Sequence, residues 1–302
     1  MSHSNHLELV HNQGWDERIL VCRNGELVDT FIVVTDNHVV LIDTLINPTT
    51  AAQMVEFAQP YLTGGRSLLV VNTHADYDHA WGNQLFVGAD ARHAAPIIAT
   101  RLCAERFAGP KEAETLAEFQ AKEPAIFDEV KLTAPTLLFD QELTIQGGDL
   151  SLELFATPGH TADHLSIYIP EIRTLLAADA AELPYPFART VDGLPAMRAS
   201  LAKLAALEAD YVLYCHAPVT IGGQLLNDNL AYFDALEAHC RQWLAQSPAA
   251  AAADDAALIA QLGCPYDAIT PQGSAWAHVA PYYRVQGHAA QIRMMLEHLQ
   301  KK

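Results

Sequence analysis

The stretch Thr73-His74-Ala75-Asp76-Tyr77-Asp78-His79 places four side chains that can bind a metal within six residues. It directly follows the apolar run 68–71, which predicts a buried strand. The four side chains then lie on the loop that leaves the carboxyl end of this strand, where α/β proteins usually carry their chemistry. Imidazole and carboxylate groups at this density suit a divalent transition ion such as Zn, Fe or Mn.

Three later segments have the same arrangement. They are Thr157-Pro158-Gly159-His160, Ala177-Ala178-Asp179 and Cys215-His216, and each comes at or just beyond the end of a strand-like run. The ends of strands along one edge of a sheet converge in space. The sequence therefore predicts that His160, Asp179 and His216 join the candidate ligands of the first loop.

The order His-x-Asp-x-Asp-His, Pro-Gly-His, Ala-Asp and a late His resembles the metallo-β-lactamase-fold hydrolases. The spacings match from Asp43 to His216. The resemblance implies an α/β fold, an αββα sandwich that would here carry a helical insertion and a C-terminal helical extension. It also implies a site for one or two metals on one edge of the sandwich. It carries little information on the substrate, because one fold hosts many chemistries.

Carried over by position, the resemblance implies a binuclear metal site. The first metal would be bound by His74, Asp76 and His160, the second by Asp78, His79 and His216, and Asp179 would bridge the two. Asp43 matches an acid that supports the metal loop in many members. The implied cofactors are two divalent ions, with Zn as the favoured metal and Fe or Mn as alternatives.

Asp76 departs from the family pattern, which has a second His at this position. Two divalent ions with two carboxylates and a bridging hydroxide carry a formal charge of about +1, and Asp76 would bring this to about zero. A less positive site polarises substrate oxygen less and favours harder ions such as Mn or Fe. A carboxylate in this position also resembles the di-iron relatives of the fold. Ala178 is a smaller departure, since Gly usually precedes the bridging Asp.

The resemblance implies a metal-dependent hydrolase that uses a metal-bridging hydroxide to cleave a carbonyl-type bond. Lactone, ester, thioester and amide bonds are all candidates, and Asp78 would orient or briefly hold the proton. The alternative is a di-iron or mono-iron redox enzyme of the same fold that handles oxygen or sulfur species. A binding protein with a degenerate site is disfavoured, because every other ligand position is filled.

Five further residues have two interpretations each. Asp163 and His164, just after His160 in sequence, either support the metal ligands or belong to the following turn. Tyr185 either donates to the substrate oxygen, as a Tyr from roughly this region does in lactonase relatives, or is an aromatic residue lining the pocket. His278 and Tyr282 either bind the substrate or pack the C-terminal tail.

Composition limits the substrate and the location. The chain of 302 residues has 36 acidic and 18 basic side chains and a formal charge of −18, which disfavours nucleic acids and favours a small, largely uncharged substrate. No apolar run is long enough for a membrane span, and the N-terminus lacks the pattern of a signal peptide. Five cysteines without paired spacing indicate reduced thiols in a cytoplasm. Homo-oligomer formation stays open.

The organisation along the chain predicts a metallo-β-lactamase-like domain over 1–222. A helical extension over 223–302 is expected to pack on the same domain. Within the first part, a stretch rich in Glu, Lys and Ala predicts a helical insertion over about 108–135, either a solvated surface helix or a lid. The apolar residues of 94–107 predict a partly buried helix.

Overall fold

The computed structural model describes residues 3–89, 91–246, 251–271, 273–277 and 279–301. The chain forms two compact units: the first comprises Met1–Ala156 and Asp163–Ala178, and the second Thr157–Ala162 and Asp179–Lys302. The boundary proposed between residues 222 and 223 stays a prediction. None of the helices among the described residues combines the length and the apolar character needed to cross a lipid bilayer.

The first unit contains a mixed sheet of seven strands. They are β1 (Glu8–Val10), β2 (Ile19–Asn24), β3 (Val28–Val34), β4 (His38–Ile42), β5 (Ser67–Val71), β6 (Ile97–Thr100) and β7 (Leu137–Phe139). The first four strands pair antiparallel, and β4 to β7 pair parallel. Ile42 at the end of β4 is paired with Val71 at the end of β5. Asp43 therefore leaves its strand beside the start of the metal loop.

A second, antiparallel sheet follows in the same unit. Its strands are β8 (Glu142–Gln146), β9 (Ser151–Ala156), β10 (Leu165–Ile169) and β11 (Thr174–Ala178), paired in this order. Two hydrogen bonds join the start of β10 to the first sheet: Leu165 N donates to Thr73 O at 2.9 Å, and Thr100 Oγ1 donates to Asp163 O at 2.8 Å. The metal loop is thus attached to both sheets.

Five α-helices of the described residues complete the first unit. They are α1 (Pro48–Ala58), α2 (Tyr77–Ala80), α3 (Arg101–Ala108), α4 (Pro110–Lys122) and α5 (Pro124–Phe127). The helix predicted over 94–107 is wrong in its first half, because Ile97 and Ile98 form β6 beside Val70 and Val71. β-branched residues favour a strand. The helix itself begins only at Arg101, after the N-cap side chain of Thr100 accepts a hydrogen bond from Cys103 N.

The insertion over 108–135 packs on the metal loop through aromatic side chains. The ring of Phe119 on α4 lies 4.7 Å from that of Tyr77, and Phe127 on α5 lies 5.8 Å from Trp81. Trp81 and Phe127 are buried. The inner face of the insertion is therefore part of the core, although most of α4 is exposed to solvent. A role as a lid stays a prediction.

The second unit contains one strand and six α-helices among its described residues. They are β12 (Tyr211–Tyr214), α6 (Gly193–Ala205), α7 (Gln224–Gln246), α8 (Asp255–Leu262), α9 (Tyr266–Ile269), α10 (Ser274–Ala277) and α11 (His288–Gln300). His288, the first residue of α11, is hydrogen-bonded to two other segments of this unit. Tyr232 Oη on α7 donates to His288 Nδ1, and His288 Nε2 donates to Cys264 O, both at 2.8 Å. Burial lowers the pKa of His288 and keeps the ring neutral, as this pattern requires.

All five cysteines are buried and none forms a disulfide. Burial raises the pKa of Cys22 and Cys103 far above the usual thiol range. Burial also raises the pKa of Cys240 to about 12 and that of Cys264 to about 11. These thiols therefore stay protonated and unreactive at neutral pH.

Candidate metal centre

The four candidate ligands of the metal loop lie together in the first unit. The backbone is extended at Asp76, and α2 begins directly after it, so that Asp78 and His79 fall in a helical turn. His74 Nε2 lies 3.7 Å from Asp76 Oδ2, and His79 Nε2 lies 3.8 Å from Asp78 Oδ2. The two imidazole rings are 4.2 Å apart and fully buried. Each imidazole thus presents its Nε2 close to a carboxylate oxygen.

Asp43 anchors the metal loop through hydrogen bonds of its side chain. Its Oδ1 accepts from Thr73 N at 2.7 Å, and its Oδ2 accepts from Thr73 Oγ1 at 2.8 Å and from His79 Nδ1 at 2.8 Å. The Thr73 hydroxyl in turn lies 3.0 Å from His74 Nδ1. Asp43 has φ +67°, a left-handed conformation that Asp adopts more readily than most residues. This single buried carboxylate therefore organises both histidines.

These hydrogen bonds determine the tautomers of His74 and His79. A carboxylate only accepts, so His79 Nδ1 carries the proton that it donates to Asp43. The Thr73 hydroxyl donates its hydrogen bond to Asp43, so its oxygen accepts a hydrogen bond from His74 Nδ1. In the neutral form, both rings then have a lone pair on Nε2. A metal-binding histidine usually has this arrangement, because its other ring nitrogen donates a hydrogen bond to a neighbouring acceptor.

Arg106 is a partly buried partner of Asp76 that the sequence interpretation did not identify. Its Nη2 donates to Asp76 Oδ1 at 2.6 Å and to Glu112 Oε1 at 2.7 Å, while Nη1 donates to Asp163 Oδ1 at 2.9 Å. Asp163 also accepts from Ala75 N at 2.9 Å through its other oxygen. The guanidinium thus links α3, the insertion and the metal loop.

Burial lowers the pKa of Arg106, but Asp163 and Asp76 raise it by more, so that the net shift is upward and the group stays charged. The contacts of Asp163 favour the supporting role that the sequence left open. His164 is buried, and its ring lies 5.1 Å from that of His74. His164 therefore packs beside a candidate ligand.

The second unit holds a cluster of its own. Asp179 Oδ2 lies 3.6 Å from His160 Nε2 and 3.3 Å from His216 Nε2. His160 and Asp179 are buried, and His216 is partly exposed. One carboxylate oxygen is therefore shared by two imidazoles, as expected of a bridging ligand.

Glu182 and Asn229 support this second cluster. Glu182 Oε1 lies 3.3 Å from His160 Nδ1. The Asn229 side chain on α7 accepts from Glu182 N at 3.1 Å and donates to Glu182 O at 3.0 Å. The backbone of Glu182 is thus fixed by a helix of the predicted C-terminal extension. Neither residue was identified from the sequence, because they lie 47 positions apart.

The backbone conformation of Ala178 explains why the family pattern usually has Gly before the bridging Asp. Its φ is +47°, a left-handed conformation. A residue with a Cβ in this conformation is strained by about 1–2 kcal/mol, whereas Gly adopts it freely. A glycine at this position would adopt the same backbone conformation without this strain.

The three proposed substrate-binding residues differ in their surroundings. Tyr185 is fully buried, its ring stacks on Tyr232 at 4.4 Å, and its hydroxyl donates to Tyr283 O at 2.5 Å. Burial raises the pKa of Tyr185, so its hydroxyl stays protonated. Tyr282 is 56% exposed. His278 lies outside the described residues. Roles in catalysis or substrate binding stay predictions for all three.

We expect Tyr185→Phe to lower the free energy of unfolding by about 1 kcal/mol, because a buried hydrogen bond to Tyr283 O is lost. The reaction rate should change little, since the hydroxyl already has a backbone acceptor. Urea unfolding and steady-state kinetics on the same preparation check both parts. A large loss of rate at unchanged stability would instead support the catalytic role.

The donor groups fit divalent transition ions. Each cluster combines imidazole nitrogens with carboxylate oxygens, the ligand types that Zn, Fe and Mn share. In both units an imidazole Nδ1 faces a supporting group, with Asp43 at His79 and Glu182 at His160. Such support orients the opposite nitrogen toward a metal.

Comparisons with known proteins agree with this chemistry. The family model described as the metallo-beta-lactamase superfamily matches residues 23–216. A hydroxyacylglutathione hydrolase of Rhodopseudomonas palustris is 35% identical over 105 residues, which cover 34% of this chain and 41% of the relative. A hydroxyacylglutathione hydrolase of Mesorhizobium japonicum is 29% identical over 204 residues, covering 64% and 67%. The chain thus matches only about two fifths of the first relative.

Among solved structures, a metallo-beta-lactamase family protein from Thermus thermophilus superposes with a TM-score of 0.60. The identity is 18%, and the match covers 98% of this chain and 93% of the other. At this identity the likeness concerns the fold, two sheets flanked by helices. It agrees with the αββα class that the motif implies. The chain belongs to the metallo-β-lactamase superfamily, as the motif predicts.

Proposed function

We propose that the two clusters together form one binuclear metal centre. Its ligands would be His74, Asp76, Asp78, His79, His160, Asp179 and His216. The observation that carries the proposal is the position of Asp179, whose Oδ2 lies within 3.6 Å of two imidazole nitrogens. Membership of the superfamily supports a joint site.

The proposed reaction is the hydrolysis of a thioester in a small molecule. The name of the relatives, hydroxyacylglutathione hydrolase, describes cleavage of an acyl group from a thiol, and this bond is one of the carbonyl-type bonds that the motif predicts. Lactones, esters and amides remain the wider class. Bound divalent ions would supply an activated water and polarise the carbonyl oxygen.

The residues of the chain would orient the reaction. Asp43 and Thr73 hold the rings of His74 and His79 with Nε2 toward the ligand carboxylates. Asp78 would accept or pass on the proton of the attacking water at Oδ2, which lies 3.8 Å from His79 Nε2. Because the hydrogen bonds exist before substrate binds, this orientation requires no rearrangement during the reaction.

The first test measures metal content. Protein purified without added metal should contain about two equivalents of divalent ions per chain, with Zn favoured over Fe and Mn. Elemental analysis gives the number and identity, and an absorption spectrum reveals iron. A stable single equivalent that does not change when Zn, Mn or Fe is added would contradict the second site. Iron with a redox-active spectrum would favour the oxygen or sulfur chemistry instead.

Activity is tested with a panel of acyl thioesters, including an acyl glutathione, and with lactones of similar size. We expect thioester turnover that disappears when a chelator removes the metal and returns when Zn²⁺ is added. The charge of −18 argues against nucleic acids as substrates, so single-stranded DNA serves as a negative control. The buried, protonated thiols are consistent with the proposed cytoplasmic location.

A further inference from the structure

Asp76 and Arg106 form a pair at the one position where the metal loop departs from the superfamily pattern. A neutral imidazole is usual at this position, and this chain has a carboxylate. The distance of 2.6 Å between Arg106 Nη2 and Asp76 Oδ1 is short, as expected of a charge-assisted hydrogen bond. The carboxylate therefore has one oxygen committed to Arg106 and the other, Oδ2, 3.7 Å from His74 Nε2.

The guanidinium is itself held in place. Nη1 and Nη2 contact Asp163 and Glu112, and Nε also donates to Glu112 Oε1 at 3.2 Å. The side chains of Asp163 and Glu112 are 0% and 7% exposed. The planar guanidinium of Arg106 donates to three carboxylates in different directions, a geometry that the ammonium group of Lys cannot reproduce. Arg106 is thus a rigid group, and Asp76 is the carboxylate that it directs toward the metal loop.

We propose that Arg106 is a positioning residue that makes Asp76 a substitute for the missing histidine. By occupying Oδ1, it allows the carboxylate to offer a single oxygen, as an imidazole offers a single nitrogen. By pairing with the negative charge, it offsets the extra carboxylate that would otherwise make the centre less positive. This inference rests on the proposed binuclear centre, in which Asp76 is a ligand.

The experiment measures Zn²⁺ binding to metal-stripped protein by competition with a chromogenic chelator, without any enzymatic assay. Arg106→Gln should weaken binding of one of the two equivalents by about 10- to 100-fold, as the loss of a group that orients a ligand does. Glu112→Gln is the matched control, since it removes the negative charge of another partner of Arg106 without changing Asp76. It should leave Zn²⁺ affinity within about threefold of the original protein, because Nη2 keeps its bond to Asp76.

Repeating the Arg106 substitution in an Asp76→His variant distinguishes a positioning role of Arg106 from a general structural role. In the Asp76→His variant, the family pattern is restored and the imidazole does not need Arg106. Adding Arg106→Gln there should no longer weaken Zn²⁺ binding, whereas a residue with a purely structural role would weaken it equally in both backgrounds. Arg106→Lys gives an independent measurement if Arg106→Gln does not fold, because Lys keeps the charge for Asp163 and Glu112 but lacks the fork. It should also weaken binding only when residue 76 is Asp.

Co²⁺ gives a spectroscopic readout of the same geometry. The visible bands of bound Co²⁺ lose intensity as the coordination number rises. Arg106→Gln should reduce this intensity, because both Asp76 oxygens become able to bind. Equal Zn²⁺ affinity with and without Arg106, or equal losses in the original and the Asp76→His backgrounds, would overturn the inference and leave the proposed hydrolase intact. Failure of the original protein to bind Zn²⁺ or Co²⁺ would overturn both.

Discussion

Asp43→Asn is expected to lower metal affinity by about 10- to 100-fold while changing a single atom. The amide keeps one oxygen for Thr73 N, which turns its NH₂ group toward the Thr73 hydroxyl and His79 Nδ1. His79 Nδ1 must then accept, so the ring proton moves to Nε2, the nitrogen that would bind the metal. The Thr73 hydroxyl would then donate to His74 Nδ1, so that the ring proton of His74 would also move to Nε2.

Chelator competition and elemental analysis measure this effect. Asp29→Asn is the matched control, because it also neutralises a buried carboxylate of the first unit, one that pairs with Arg23 at 2.7 Å. Both variants should lose stability, but only Asp43→Asn should lose metal affinity. Equal affinities in the two variants would show that Asp43 does not set the tautomers of the metal loop.

Gly159→Ala is expected to lower the free energy of unfolding by about 2–6 kcal/mol, the sum of two effects. Gly159 has φ +150°, and an added Cβ would overlap the backbone of Met197 on α6. The strained backbone and the overpacking each cost about 1–3 kcal/mol. Ser200 on the same helix donates to Pro158 O at 2.7 Å, so the segment before His160 cannot move away easily. The glycine of the Pro-Gly-His motif is thus required by the close approach of α6.

The control for this variant is Gly222→Ala. Gly222 also has a positive φ, +71°, but an added Cβ would meet no heavy atom of the described residues within 4 Å. Its cost should be limited to about 1–2 kcal/mol of backbone strain. The midpoints of urea unfolding compare the two variants, and circular dichroism verifies that both fold. A loss in Gly159→Ala no larger than that in Gly222→Ala would contradict the packing explanation.

The candidate ligands could be predicted from the sequence because their signals are local. His74 to His79 follow the apolar run 68–71, which forms most of β5, and the structure places these side chains together in the first unit. His160, Asp179 and His216 carry similar signals and lie together in the second unit. Asp43 could also be assigned, because it ends the strand beside β5.

The supporting residues could not be predicted, because their contacts join distant parts of the chain. Arg106 lies 30 residues from Asp76, in a segment whose apolar residues predicted only a helix. Glu182 depends on Asn229, which lies on a different helix. No local sequence pattern predicts a contact between residues this far apart in the chain. An acid where the family has His was the one signal that a compensating cation was needed.

Short apolar segments were the other source of error. Residues 97–100 have no periodicity that separates a strand from a helix, and the parallel pairing with β5 decides between them. The role of Tyr185 stays a prediction, because its aromatic loop sequence fits both a substrate donor and a packed side chain. Only the stacking on Tyr232 and the bond to Tyr283 O reveal its surroundings.

The burial of all five cysteines has a practical consequence for fluorescence studies. Maleimide dyes react with exposed thiolates, so the folded chain should remain unlabelled at neutral pH. A single cysteine introduced at Glu118, whose side chain is 68% exposed on α4, would then carry the only fluorophore. Its anisotropy would report directly whether the insertion moves when substrate is added.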